Sequence, residues 1–73
     1  MKAQIQILKD DLVTEMTLFL IDDYKLTIQE ALEILYTSET FERLQDNATG
    51  LYYQSAGYVY SFLQNELKNG KVA

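Results

Sequence analysis

The chain contains no cysteine, histidine, proline or tryptophan, and only three glycines in 73 residues. Without cysteine there is neither a disulfide nor a thiolate metal site to reinforce a small fold. Without histidine or cysteine the common zinc sites are gone, as are Ser-His and Cys-His nucleophile pairs. Any bond-making chemistry would fall to carboxylates, lysine or tyrosine. Positive charge is also scarce. Six Lys and Arg stand against eleven Asp and Glu, a net charge of −5. That balance argues against a phosphate-backbone binder, whose affinity comes from basic side chains releasing counterions. Long apolar runs are missing too. The longest is Leu18-Phe19-Leu20-Ile21, far short of the ~20 residues a bilayer demands. The first residues carry only Lys2 before a stretch broken by Gln4, Gln6, Lys9, Asp10 and Asp11, which is not a signal-peptide pattern. These features imply a cytoplasmic protein that binds neither membrane nor nucleic acid.

Hydrophobic residues nevertheless make up 48% of the chain, and tyrosine supplies six of its nine aromatics. One domain over residues 1–73 is the reasonable count, with a stability of roughly 4–11 kcal/mol at this length. Small unstapled domains often gain burial by self-association.

Hydrophobic spacing reads helical throughout. It predicts an all-α fold, a small bundle of three main helices plus one short helix. Helix one is expected from Ala3 to Tyr24. At 100° per residue, Ile5, Leu8, Leu12, Val13, Met16, Phe19 and Leu20 share an arc of about 140°, a core face. Ile7, Leu18 and Ile21 gather with Thr14 on a different side, bordered by Asp11. A long helix touching neighbours on two sides would explain this second stripe. So would a dimer seam, because Ile7, Thr14 and Ile21 repeat every seven residues.

Helix two begins after a capping box at Thr27-Ile28-Gln29-Glu30. Ile28, Ala31, Leu32, Leu35 and Tyr36 form its inner face, and it ends at Tyr36 or Thr37. Ser38 caps a short third helix, with Glu39 and Glu42 in its first turns and Phe41 and Leu44 as anchors. Ala48-Thr49-Gly50 reads as a turn, and residues 51–54 as either one helical turn or an extended connection. Ser55 caps helix four, Ala56 to Asn69, whose inner face is Ala56, Val59, Tyr60, Phe62, Leu63 and Leu67. Gly70 is a candidate C′ residue and Lys71-Val72-Ala73 a frayed tail.

Four constellations could carry function. Arg43 is the only arginine, and Glu66 falls on the apolar side of helix four. An Arg43–Glu66 ion pair would lock helix three to helix four, although both side chains could instead reach out to water. Tyr52, Tyr53 and Tyr58 suit half-buried interface positions, each offering a large ring and a hydroxyl that stays hydrogen-bonded. Some of these rings could equally close the core. Asp22, Asp23, Glu30 and Glu33 offer oxygen ligands for a hard cation, but a solvated face explains them better, and no metal or cofactor is expected. Carboxylate pairs can perform acid–base work, but a helical chain this short has little room for the necessary cleft. The expectation is a non-enzyme without a small-molecule substrate.

Leu26-Thr27-x-x-Glu30-Ala31-x-x-Leu35 followed by Ser38-x-Thr40-x-x-Arg43-Leu44 resembles the helix-turn-helix of excisionase-like and MerR-like DNA-binding domains. It departs from them at Tyr36, where a small residue is usual, and in its second helix, where Glu39, Glu42 and Asp46 surround a lone Arg43. A wider resemblance runs through Glu30-Ala31-Leu32, Leu35-Tyr36-Thr37-Ser38-x-Thr40-Phe41, Leu44, Thr49-Gly50-Leu51-Tyr52-Tyr53-Gln54-Ser55 and Tyr58-Val59-Tyr60. This pattern is similar to that of a group of short bacterial helical proteins of unassigned activity. The resemblance implies a bacterial helical protein, with an accessory or antitoxin-like role beside toxin-like genes conceivable, and it transfers no site residue. The leading expectation is a non-catalytic protein–protein interaction module, self-associating as a homodimer. Its contacts would be Ile7, Leu18, Ile21, Tyr52, Tyr53 and Tyr58. A degenerate helix-turn-helix DNA-binding or transcription-regulating domain is the alternative.

Overall fold

The computed structural model describes residues 2–69. Among them are four α-helices and no strand. In chain order these are α1 (Lys2–Tyr24), α2 (Ile28–Tyr36), α3 (Glu39–Gln45) and α4 (Ala56–Asn69), with two 3-10 turns, Asn47–Thr49 and Leu51–Tyr53, between α3 and α4. The expected all-α bundle is the observed fold, and α3 is its short member. The expectations for Gly70 and the tail lie outside the described residues.

Local chemistry sets the helix boundaries. Thr27 has extended backbone, and its hydroxyl accepts the Glu30 amide at 3.1 Å while the Glu30 carboxylate accepts the Thr27 amide at 2.9 Å. The capping box is complete, satisfying two donors that a helix start leaves orphaned. Ser38 does double duty in the two-residue joint between α2 and α3. Its hydroxyl donates to the Leu35 carbonyl at 2.6 Å and accepts the Phe41 amide at 3.1 Å. Gly50 separates the two 3-10 turns at φ 70°, a left-handed value that glycine adopts without a Cβ penalty. The connection thus alternates short 3-10 turns with a reversal, and contains neither a full helical turn of α type nor a strand.

The core is built from one arc of each helix. Leu12, Met16 and Leu20 of α1 meet Ala31 and Leu35 of α2, Leu44 of α3, and Val59, Tyr60 and Leu63 of α4, with Leu51 and Ala56 closing the end. Val13, Phe19, Ile21, Leu26, Ile34, Phe41 and Tyr52 pack around it, half-buried. Phe19 and Tyr60 meet with ring centroids 4.9 Å apart.

The arcs are narrower than the sequence suggests. Leu8 of α1, Ile28 and Tyr36 of α2, and Phe62 and Leu67 of α4 were expected inside, and all are exposed. The reason is size. A domain of this length turns only its most central row inward: Leu8, Tyr36 and Phe62 stand at the edges of their arcs, while Ile28 and Leu67 lie in the terminal turns of α2 and α4.

Candidate protein-interaction surface

Three polar locks hold the helices together and leave one apolar face open. In the first, Glu66 of α4 reaches the start of α3. Its Oε2 accepts the Glu39 amide at 2.8 Å, and its Oε1 accepts the Thr40 amide at 3.0 Å and the Thr40 hydroxyl at 2.9 Å. A carboxylate on amides that lack an intrahelical partner is the favourable arrangement at a helix N-terminus. Glu66 therefore does lock α3 to α4, but through backbone amides and a hydroxyl. Arg43 lies exposed on α3, lining the same shallow groove, and its guanidinium takes no part in these bonds. The bonds that join Glu66 to α3 are therefore those of a cap, with carboxylate oxygens on the amides at the helix start.

In the second lock the Tyr60 hydroxyl donates to Asp23 Oδ2 at 2.7 Å, tying α4 to the end of α1. Burial pushes the Tyr60 phenol well above its ordinary range, and the Asp23 carboxylate adds to the rise. The third lock is Lys9, which lies on the buried arc of α1. Its ammonium donates to the Gln45 carbonyl at 3.1 Å, placing a cation at the C-terminal end of α3. Sequence reasoning missed this residue. The available signal was a lysine one turn before Leu12 and two before Met16, on the core side of the helix.

Two of the four members of the acidic set do structural work. Asp23 holds Tyr60 and Glu30 closes the capping box. Among the described residues no three acidic side chains converge as a metal site would require.

The open face lies between α1 and α2. A shallow groove of about 320 Å³ is lined by Val13, Thr14, Thr17, Leu18 and Ile21 from α1 and by Ile28, Leu32 and Tyr36 from α2. No lining residue is charged. Leu18 is 58% exposed, Ile28 65% and Tyr36 52%. Thr17 contributes a methyl group, since its hydroxyl is spent on the Val13 carbonyl at 2.7 Å.

The structure brings two of the expected contact residues, Leu18 and Ile21, into this groove. Ile21 also packs against the core, so it forms part of the groove floor. Ile7 is as exposed as Leu18 and lies two turns before Thr14 on α1, outside the groove lining. The tyrosines lie elsewhere. Tyr52 is half-buried against the core and stacks on Tyr53 at 4.4 Å. A hydrogen bond with Tyr53 raises its phenol pKa, and burial adds to the rise. Tyr53 is 74% exposed, and Tyr58 meets Phe62 edge-on at 5.1 Å. Of the expected contact set, only Leu18 and Ile21 therefore share the α1/α2 face, and the tyrosines pair outside it. Of the four lining residues that sequence reasoning assigned to the interior, Val13 and Leu32 are half-buried while Ile28 and Tyr36 are exposed.

Among the described residues no helix is long and apolar enough to cross a membrane. What the fold defines is a small four-helix all-α domain with an uncharged groove between its first two helices. The chain matches no protein-family model, no curated protein and no solved structure.

Proposed function

We propose that this chain is a non-catalytic protein-interaction module of the bacterial cytoplasm that self-associates by burying its α1/α2 face. The observation that carries the reading is the groove. It joins Leu18, Ile28 and Tyr36, all more than half exposed, in one uncharged surface. Contiguous apolar surface on a small domain marks an interaction site far better than scattered exposed residues do. A homodimer is the simplest occupant, because a two-fold interface needs only one self-complementary patch. An accessory or antitoxin-like role would use the same face on a different protein.

The rival reading is a helix-turn-helix regulator, since α2 and α3 meet across only Thr37 and Ser38. Two observations weigh against it. Glu39 and Glu42 lie in the first turn of α3, with Asp46 at its end. In addition, Glu66 occupies the amides at the α3 N-terminus, the end that such domains present to base edges.

Light scattering across a concentration series tests the proposal. The expected mass rises from one chain toward two. Leu18→Lys should weaken the association by about tenfold or more, the ordinary consequence of losing an interface anchor. A mass that stays at one chain at the highest concentration removes the proposal.

A further inference from the structure

We infer that Asn69 is a site of self-modification: its side-chain amide is lost through attack by the Gly70 backbone nitrogen, and the carboxylate that replaces it weakens the α3–α4 lock. The inference is independent of the self-association proposed above.

The reaction needs the amide nitrogen of the following residue to reach the asparagine Cγ and close a five-membered ring. The chain has three asparagines, Asn47, Asn65 and Asn69, followed by Ala48, Glu66 and Gly70. A side chain on the following residue crowds the attack, and glycine has none. The fold separates the three further. Asn65 lies inside α4, where regular helical bonding engages the next amide and fixes the backbone. Asn47 is followed by an amide that donates to Asp46 Oδ1 at 3.0 Å. Asn69 is exposed and terminates α4, so the ring closes at the end of the helix with no interior turn to break.

Water is the only co-reactant. The Gly70 nitrogen gives its proton to hydroxide and bonds to Asn69 Cγ. The Cγ–Nδ2 bond then breaks, ammonia leaves with a proton from solvent, and a succinimide remains. Water opens the ring at either carbonyl. One opening gives aspartate, the other isoaspartate with the chain routed through Cγ. Each exchanges NH2 for an ionising OH, so the net charge of −5 becomes more negative by one.

Position gives that charge its effect. Residue 69 lies three places beyond Glu66 on α4, where side chains are neighbours and like charges repel. Asn69, Glu66 and Glu39 line one groove between α3 and α4, with Arg43 the only cation among its described lining residues. The new carboxylate also stands at the C-terminal end of a helix dipole, which favours cations. The Glu66 carboxylate that caps α3 thus gains a like-charged neighbour.

Incubating the full-length protein at mildly alkaline pH tests the site, read by ion exchange and peptide mass mapping. A more acidic species should accumulate, faster as pH rises, with the mass change of NH2 to OH confined to residue 69. Gly70→Ala should slow it severalfold. Asn69→Gln, which keeps a neutral carboxamide, should abolish it. No conversion, conversion led by Asn47 or Asn65, or an unchanged rate in Gly70→Ala would overturn the site. Thermal melts test the consequence: Asn69→Asp should melt below both the parent protein and Asn69→Gln. A melting temperature equal to or above that of Asn69→Gln would overturn the weakening of the lock.

Discussion

The Glu66 carboxylate accepts the backbone N–H of Glu39 at 2.8 Å across 27 residues of sequence, so one acidic side chain holds down the start of a helix that begins with another. Its two oxygens are divided, Oε2 on Glu39 and Oε1 on Thr40. Glu66→Gln keeps the volume but leaves one acceptor oxygen for two amides. Loss of a charge-assisted bond of this kind costs about 1–3 kcal/mol, so the melting temperature should fall. Arg43→Gln, on an exposed side chain, should change stability by less than about 0.5 kcal/mol. Thermal melts of the two variants side by side check the assignment. An equal loss in both would make the guanidinium a partner in the lock.

Tyr60 predicts an alkaline limit. Folding holds its phenol protonated, through burial and the bond to Asp23, whereas an unfolded tyrosine releases its proton near pH 10. The folded value is the higher one. Stability from this group is therefore complete below about pH 10 and declines as pH rises above it. Tyr60→Phe should cost about 1–2 kcal/mol at neutral pH by removing the bond, and should flatten the decline at high pH. Denaturant midpoints measured at neutral and alkaline pH would show both effects.

Lys25 follows α1 at φ 57°, the only non-glycine residue with positive φ among those described. A side chain in this left-handed region costs roughly 1–2 kcal/mol, and glycine is the common solution just past a helix end. Lys25→Gly should therefore stabilise the fold by about 1 kcal/mol or somewhat less, because glycine also loses more backbone freedom on folding. A raised unfolding midpoint in urea is the expected readout.

The α2–α3 corner gives a prediction about nucleic acid. Duplex DNA in an electrophoretic shift assay at low salt should migrate unchanged, since Glu39, Glu42 and Asp46 surround Arg43. A salt-sensitive shift with a steep slope would favour the regulator reading instead.

What the sequence made legible was local. The Thr27–Glu30 box and the Ser38 cap each use groups within three residues of one another, and the bounds of α2, α3 and α4 followed from such signals. The central arc of α1 was equally readable, because Leu12, Met16 and Leu20 repeat every four residues. Residues 47–53 were not, since a three-residue turn is too short to show a period. Glu66 marks the boundary of the method. Angle counting placed it correctly on the inner side of α4, but the backbone amides it caps carry no sequence signal, whereas the only arginine does. The groove was half legible. Leu18 and Ile21 stood out from the α1 pattern, while Ile28 and Tyr36 looked like core because which row of α2 turns inward depends on where α1 packs.

The long sequence separations behind two of the locks bear on how the chain is made. Asp23 must wait 37 residues for Tyr60, and Glu39 must wait 27 for Glu66. During synthesis α1 and α2 can pair as soon as both have left the ribosome, joined by a three-residue link. The amides at the head of α3 stay bare until nearly all of α4 has emerged. Until α4 docks, the α1–α2 pair lacks its tie to Tyr60 and the head of α3 lacks Glu66, so α4 is the element that closes the described fold.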